Sequence, residues 1–116
     1  MTLTLYGIPN CDTVKKARTW LEARGVAYAF HDYKKLGIDA ATLNRWADVV
    51  GWEPLLNRAG TTFKKLPDAD KTGIDQNKAV ELMIANPSMI KRPVVEGDGK
   101  MLIGFKPDDW TTAITA

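Results

Sequence analysis

The chain lacks what several functional classes require. It has one cysteine, so no disulfide can form within it, and the expected compartment is the cytoplasm, where thiols stay reduced. It has one histidine, His31. No second histidine, cysteine or paired carboxylate stands at ligand spacing from it, so no metal is expected and His31 reads as a surface residue. No apolar run approaches the ~20 residues of a membrane span, and the opening residues lack the basic-then-apolar pattern of a secretory signal. Neither sign of charge dominates, with 16 Lys and Arg against 14 Asp and Glu. The basic residues fall in scattered pairs, Lys15-Lys16, Lys34-Lys35, Lys64-Lys65 and Lys91-Arg92, with acids between. That is a solvated surface, so neither a membrane nor a direct nucleic-acid partner is expected.

What is present is an ordinary globule of 116 residues, 45% apolar and 26% charged. This is one domain, residues 1–116, with room for one core. The four tryptophans, Trp20, Trp46, Trp52 and Trp110, are scattered and read as packing residues rather than a stacking platform.

The opening third predicts a strand over 2–6, a helix over 11–24 and a strand over 26–32. Val14, Ala17 and Leu21 recur on one helix face, Asn10 is a good N-cap residue, and Gly25 suits C′. Such a βαβ unit makes the two strands parallel. From Tyr33 to Asn86 the pattern turns helical. Asp39 caps a stripe of Leu43, Trp46, Ala47 and Val50 that Gly51 closes, and Glu53–Arg58 reads as a short helical turn. Residues 75–85 read as a helix with Ala79, Val80, Leu82, Met83 and Ile84 inward, stopped by Asn86-Pro87. Strands return in Pro93–Glu96 and Lys100–Gly104, joined through Gly97-Asp98-Gly99, a hairpin signal. Pro107 at N1, with Asp108 and Asp109 in the first turn, opens a last helix. The fold class is α/β: a mixed four-stranded sheet in the order βαβ … ββα, with an all-helical insertion at about 38–88.

Cys11 falls between the first strand and the first turn of a helix. Unpaired backbone amides and the positive end of the helix dipole favour a thiolate there. The dipole alone is not enough. A thiol of pKa ~8.5 is about 3% ionised at pH 7, and a helix end worth ~0.3–1 kcal/mol raises that to only ~10%. One or two guanidinium groups nearby lower the pKa by about 1–3 more, which suffices for a nucleophile.

Leu5–Thr13, Thr61–Leu66 and Ile90–Val95 resemble the ArsC/Spx family, and more narrowly its YffB-type branch, in order and over nearly the whole chain. The resemblance implies a thioredoxin-like fold with a cis proline beside the cysteine, at Pro93. It also implies cations around the sulfur. Arsenate reductases of the family carry three arginines there. Arg92 matches one directly, Arg58 lies one residue out of step with another, and Lys106 stands in the third place. Lysine keeps the charge but loses the planar fork that grips an oxyanion. Those enzymes also carry a histidine ahead of the cysteine, where the nearest equivalent here is Gly7. The Spx regulators often have a Cys-x-x-Cys pair, whereas this chain reads Cys11-Asp12-Thr13-Val14.

The function expected on these grounds is a glutathione-dependent thiol–disulfide reductase using Cys11 as its single nucleophile. Arg92 and Arg58 would support the thiolate, and Asn10, Asp12, Thr13, Pro93 and Lys106 would contact the substrate. Glutathione enters as co-substrate rather than bound cofactor, with glutaredoxin as a further thiol donor, and the protein is expected to be a monomer. Two alternatives stand beside this. One is arsenate reduction with glutathione and glutaredoxin; the other is a non-enzymatic, Spx-like regulator that binds RNA polymerase.

Overall fold

Strict alternation of inward Leu3, Leu5 and Gly7 with half-buried Thr4 and Tyr6 makes β1 (Leu3–Gly7) a central strand with one face on a core. In the computed structural model, which describes residues 3–97 and 99–114, β1 is followed by α1 (Asp12–Ala23) and β2 (Tyr28–Asp32). Next come α2 (Tyr33–Leu36), α3 (Ala40–Val50), α4 (Trp52–Leu55), α5 (Thr61–Lys64), α6 (Asp68–Lys71) and α7 (Gln76–Ala85). A 3-10 turn at Pro87–Met89 leads to β3 (Val94–Gly97), β4 (Lys100–Ile103) and α8 (Pro107–Ile114). The expected hairpin residue Asp98, and Thr2 of the expected first strand, lie outside the described residues.

The sheet order is β2-β1-β3-β4. β1 pairs parallel with β2, and antiparallel with β3, which pairs antiparallel with β4. This is the expected mixed four-stranded sheet. The chain divides into two compact units, one formed by the segments before Lys34 and after Lys91, the other by Lys34–Lys91. The second unit encloses the helical insertion expected at about 38–88.

In the first unit, Leu3 and Leu5 of β1, Val14, Ala17 and Leu21 of α1, Val95 of β3, and Trp110 and Ile114 of α8 form one buried cluster. α1 ends as its glycine requires. Gly25 sits at φ 66, its N–H donates to the Glu22 carbonyl, and the Val26 N–H donates to that of Leu21. In the second unit the stripe of α3 buries Leu43, Trp46 and Ala47, and α7 buries Ala79, Val80 and Met83. Asp39 caps α3 as expected, its Oδ1 accepting from the Thr42 N–H at 2.8 Å; Asp75 caps α7 on the Lys78 N–H at 2.9 Å. A bridge between Leu56 and Ile90 closes the insertion, with the Lys91 N–H donating to the Leu55 carbonyl at 2.8 Å.

Several expectations need correction. Cys11, not Asn10, is the N-cap of α1: the Cys11 N–H turns back to the Ile8 carbonyl at 3.2 Å, which places Pro9 and Asn10 in a turn. Val26 and Ala27 precede β2 rather than opening it. Ile84, expected inward, is 41% exposed, and Leu82 is half-buried. The apolar residues of α7 simply outnumber the places on one helix face. The turn read over Glu53–Arg58 is α4, which begins at Trp52 and stops at Leu55.

Candidate thiol site

The register brings three chain segments to one end of the sheet. The last β1–β2 pair is Gly7 with Asp32, so Tyr33 follows directly beside the end of β1. The last β1–β3 pair is Tyr6 with Val94, and one and two residues outward on that side stand Pro93 and Arg92. The loop out of β1 carries Cys11 at the same end, closed by the Cys11-to-Ile8 hydrogen bond.

Cys11 is half-buried, packing against the core cluster of the first unit without being sealed in it. Burial is the strongest single influence on the thiol and pushes its pKa up. The Val14 and Thr13 amides act against burial, as do the charge and hydrogen-bonding fork of Arg92. Together they prevail, and the thiol sits below its ordinary value. Thr13 and Val14 are the second and third residues of α1, the positions whose amides an N-cap side chain reaches. The sulfur closes no formed capping hydrogen bond, so these amides favour the thiolate by proximity and orientation.

The peptide bond between Arg92 and Pro93 is cis, as the family resemblance implied. Pro93 is buried, and its carbonyl accepts from the Gly104 N–H at 2.8 Å. Behind it the Trp110 Nε1–H donates to the Gly104 carbonyl at 3.1 Å, so α8 braces the segment that carries Arg92. Asn10 and Asp12 are exposed beside the sulfur-bearing turn, and Thr13 is half-buried. Lys106 is exposed at the start of α8, where its carbonyl accepts from the Trp110 N–H at 3.0 Å. Arg58 belongs to the second unit. Its Nη2 lies 3.7 Å from Glu53 Oε2 and its guanidinium 6.0 Å from the centre of the Trp52 ring, both exposed-side contacts of modest worth.

The sequence reading missed Tyr33. Its side chain is fully buried, and it hydrogen-bonds with Arg92 while also sensing the charge of Cys11 and Asp32. Burial pushes its phenol pKa far up, so the ring stays neutral. The available signal was a polar aromatic at the strand terminus nearest the cysteine loop. Among the described residues no cluster of three or more His, Cys, Asp or Glu can hold a metal ion, and no helix is long and apolar enough to cross a membrane.

A mixed four-stranded sheet with a cysteine capping its first helix and a cis proline at the same sheet end defines a thioredoxin-like α/β protein. A sequence model described as the ArsC family matches residues 6–113, and the chain belongs to that family. Among solved structures it is similar to the YffB protein, at 59% identity, covering 97% of this chain and 98% of that one with a TM-score of 0.93. It is also similar to an arsenate reductase (ArsC) related protein from Brucella melitensis, at 57% identity, 100% and 97% coverage and a TM-score of 0.79. A more distant relative is the global transcriptional regulator Spx of Streptococcus mutans, 28% identical over 109 residues, covering 92% of this chain and 79% of that protein.

Proposed function

We propose that the protein is a glutathione-dependent thiol–disulfide reductase working through Cys11 alone. The observation that carries this reading is the placement of Cys11 at the N-cap of α1, with its thiol drawn below the ordinary value by the Val14 and Thr13 amides and by Arg92. In the first step the Cys11 thiolate attacks the glutathione sulfur of a mixed disulfide, R–S–S–glutathione. The old S–S bond breaks, the R thiolate leaves, and a Cys11–glutathione disulfide forms. In the second step a free glutathione thiolate attacks that disulfide at the glutathione sulfur, Cys11 leaves as thiolate, and glutathione disulfide is released. Overall, R–S–S–glutathione and one glutathione give R–SH and glutathione disulfide: the incoming glutathione sulfur is oxidised to the disulfide level as the substrate sulfur is reduced to the thiol. With one cysteine in the chain, the second thiol must come from outside, from glutathione or from glutaredoxin.

Arg92 stabilises the thiolate both as nucleophile and as leaving group. In this reading Asn10, Asp12, Thr13 and Pro93 contact the incoming thiol, while Arg58 and Lys106 are the further cations, each tested by its own alanine variant. The deciding experiment follows reduction of a glutathionylated small-molecule disulfide, with glutathione in excess, by wild type and Cys11→Ser. Loss of turnover in the variant supports the reading; full activity overturns it.

A second reading draws on the Spx relatives: a regulator that binds RNA polymerase through its surface. It predicts that the protein captures purified polymerase equally well with Cys11 intact or changed to alanine. The arsenate reductase (ArsC) related neighbour raises a third, arsenate reduction. Lys106 in the place of an arginine disfavours it, because a lysine does not grip an oxyanion in two-pronged fashion.

A further inference from the structure

We infer that Tyr33 is a positioning residue for the thiol: its phenol oxygen anchors the guanidinium of Arg92 at the sheet end where Cys11 caps α1. The inference rests on the thiol-exchange reading above and deepens it.

Three observations converge. The strand register sets Tyr33, directly after β2, and Arg92, directly before Pro93 and β3, at the same end of the sheet on either flank of β1. Tyr33 is fully buried, and a buried phenol oxygen needs a partner. Arg92 acts on that phenol through both charge and hydrogen bonding, and acts on the Cys11 thiol in the same two ways. A guanidinium carries five N–H donors in a flat fork and can serve two acceptors at once. The charged and titratable groups acting on Tyr33 are Arg92 ahead of β3, Cys11 at the cap of α1, and Asp32 at the end of β2.

The chemistry of the anchor matters. A carboxylate in place of Tyr33 would hold Arg92 equally well but would neutralise it. A phenol that burial keeps protonated is a neutral acceptor. It fixes the direction of the guanidinium and leaves the whole positive charge for the sulfur. When Cys11 is tied up in the mixed disulfide and has no charge to offer, Tyr33 still holds Arg92 in place. The cation is then already oriented when Cys11 must depart as thiolate in the second step.

The test is a double-mutant cycle read by the pH dependence of Cys11 alkylation with iodoacetamide, in wild type, Tyr33→Phe, Arg92→Ala and the double variant. Phenylalanine keeps the packed ring and removes one oxygen, and matched thermal melts check the fold. In the wild-type background Tyr33→Phe is expected to raise the alkylation midpoint, slowing the reaction near pH 6 roughly three- to tenfold. In the Arg92→Ala background the same change is expected to do nothing. An unmoved midpoint in Tyr33→Phe overturns the inference, as does an equal displacement in both backgrounds. A wild-type midpoint at the ordinary thiol value overturns instead the functional reading on which it rests.

Discussion

Gly7 and Val14 meet so closely that no side chain fits between them: a Cβ on Gly7 would lie 2.8 Å from Cγ2 of Val14 and 3.3 Å from Cγ1. The two residues are the last of β1 and the third of α1, and Cys11 lies in the loop between them. Space, not backbone conformation, is what requires glycine, since Gly7 is not among the positive-φ glycines. A histidine here, as the arsenate reductases carry ahead of their cysteine, would need α1 to move away from the sheet. Gly7→Ala should therefore cost about 1–3 kcal/mol by overpacking, read as a lower urea midpoint. The alkylation midpoint of Cys11 should rise with it, because the Val14 amide moves off the sulfur.

Trp110 braces the same site from the other side. Its Nε1–H bonds the Gly104 carbonyl at 3.1 Å, and the Gly104 N–H in turn bonds Pro93 at 2.8 Å. The ring also packs edge-on against Trp20 and Phe105, with centroids 5.7 and 4.9 Å away. Trp110→Phe removes the donor and leaves a buried carbonyl unpaired beside a partly emptied space. A loss of about 2–4 kcal/mol is expected from those two effects together, measurable by chemical denaturation.

In the second unit the cap of α7 is the simplest element to probe. Asp75 Oδ1 accepts from the Lys78 N–H at 2.9 Å, satisfying one of the first amides of the helix. Asp75→Ala should destabilise by about 1 kcal/mol, or about 3–6 °C in Tm for a chain of this size. Asp75→Ser and Asp75→Asn should keep most of that, since each retains a side-chain oxygen acceptor.

What the sequence made legible was whatever is encoded over several residues. The parallel β1–β2 pair, the antiparallel β3–β4 hairpin, the stripe of α3 and the glycine stop of α1 all follow from periodicity and turn chemistry. Cys11 and Arg92 were singled out in the sequence as candidates, and in the fold Arg92 acts on the Cys11 thiol. What stayed hidden was decided by single contacts. Asn10 and Cys11 compete for one cap, and the hydrogen bond to Ile8 settles it for the cysteine. Helices α2 and α6 are four residues each, too short to show a period. Tyr33 looked like the first residue of the helical region because nothing in its neighbours says that Arg92, 59 positions later, will reach its hydroxyl.

The lowered thiol of Cys11 makes stability depend on pH in a definite direction. Its pKa in the folded chain lies below the ordinary value, which the unfolded chain regains at about 8.5. Folding therefore favours the ionised sulfur. The stabilisation is complete above the unfolded value and is lost as pH falls through the folded one. Reduced wild type should gain stability over Cys11→Ala as pH rises from about 5.5 to about 9, a range that ends above the ordinary thiol value while staying below the tyrosines. Tyr33 works in the opposite sense, since its folded pKa is raised. From about pH 10 upward the unfolded chain ionises more readily and stability falls, which sets the upper limit of the scan. Urea midpoints of the two proteins at both ends of the range decide the matter. A gap that stays constant with pH would mean that the thiolate is no better held in the fold than in the open chain. Forming the Cys11–glutathione disulfide should abolish the pH-dependent part of the gap, because the sulfur then has no proton to lose.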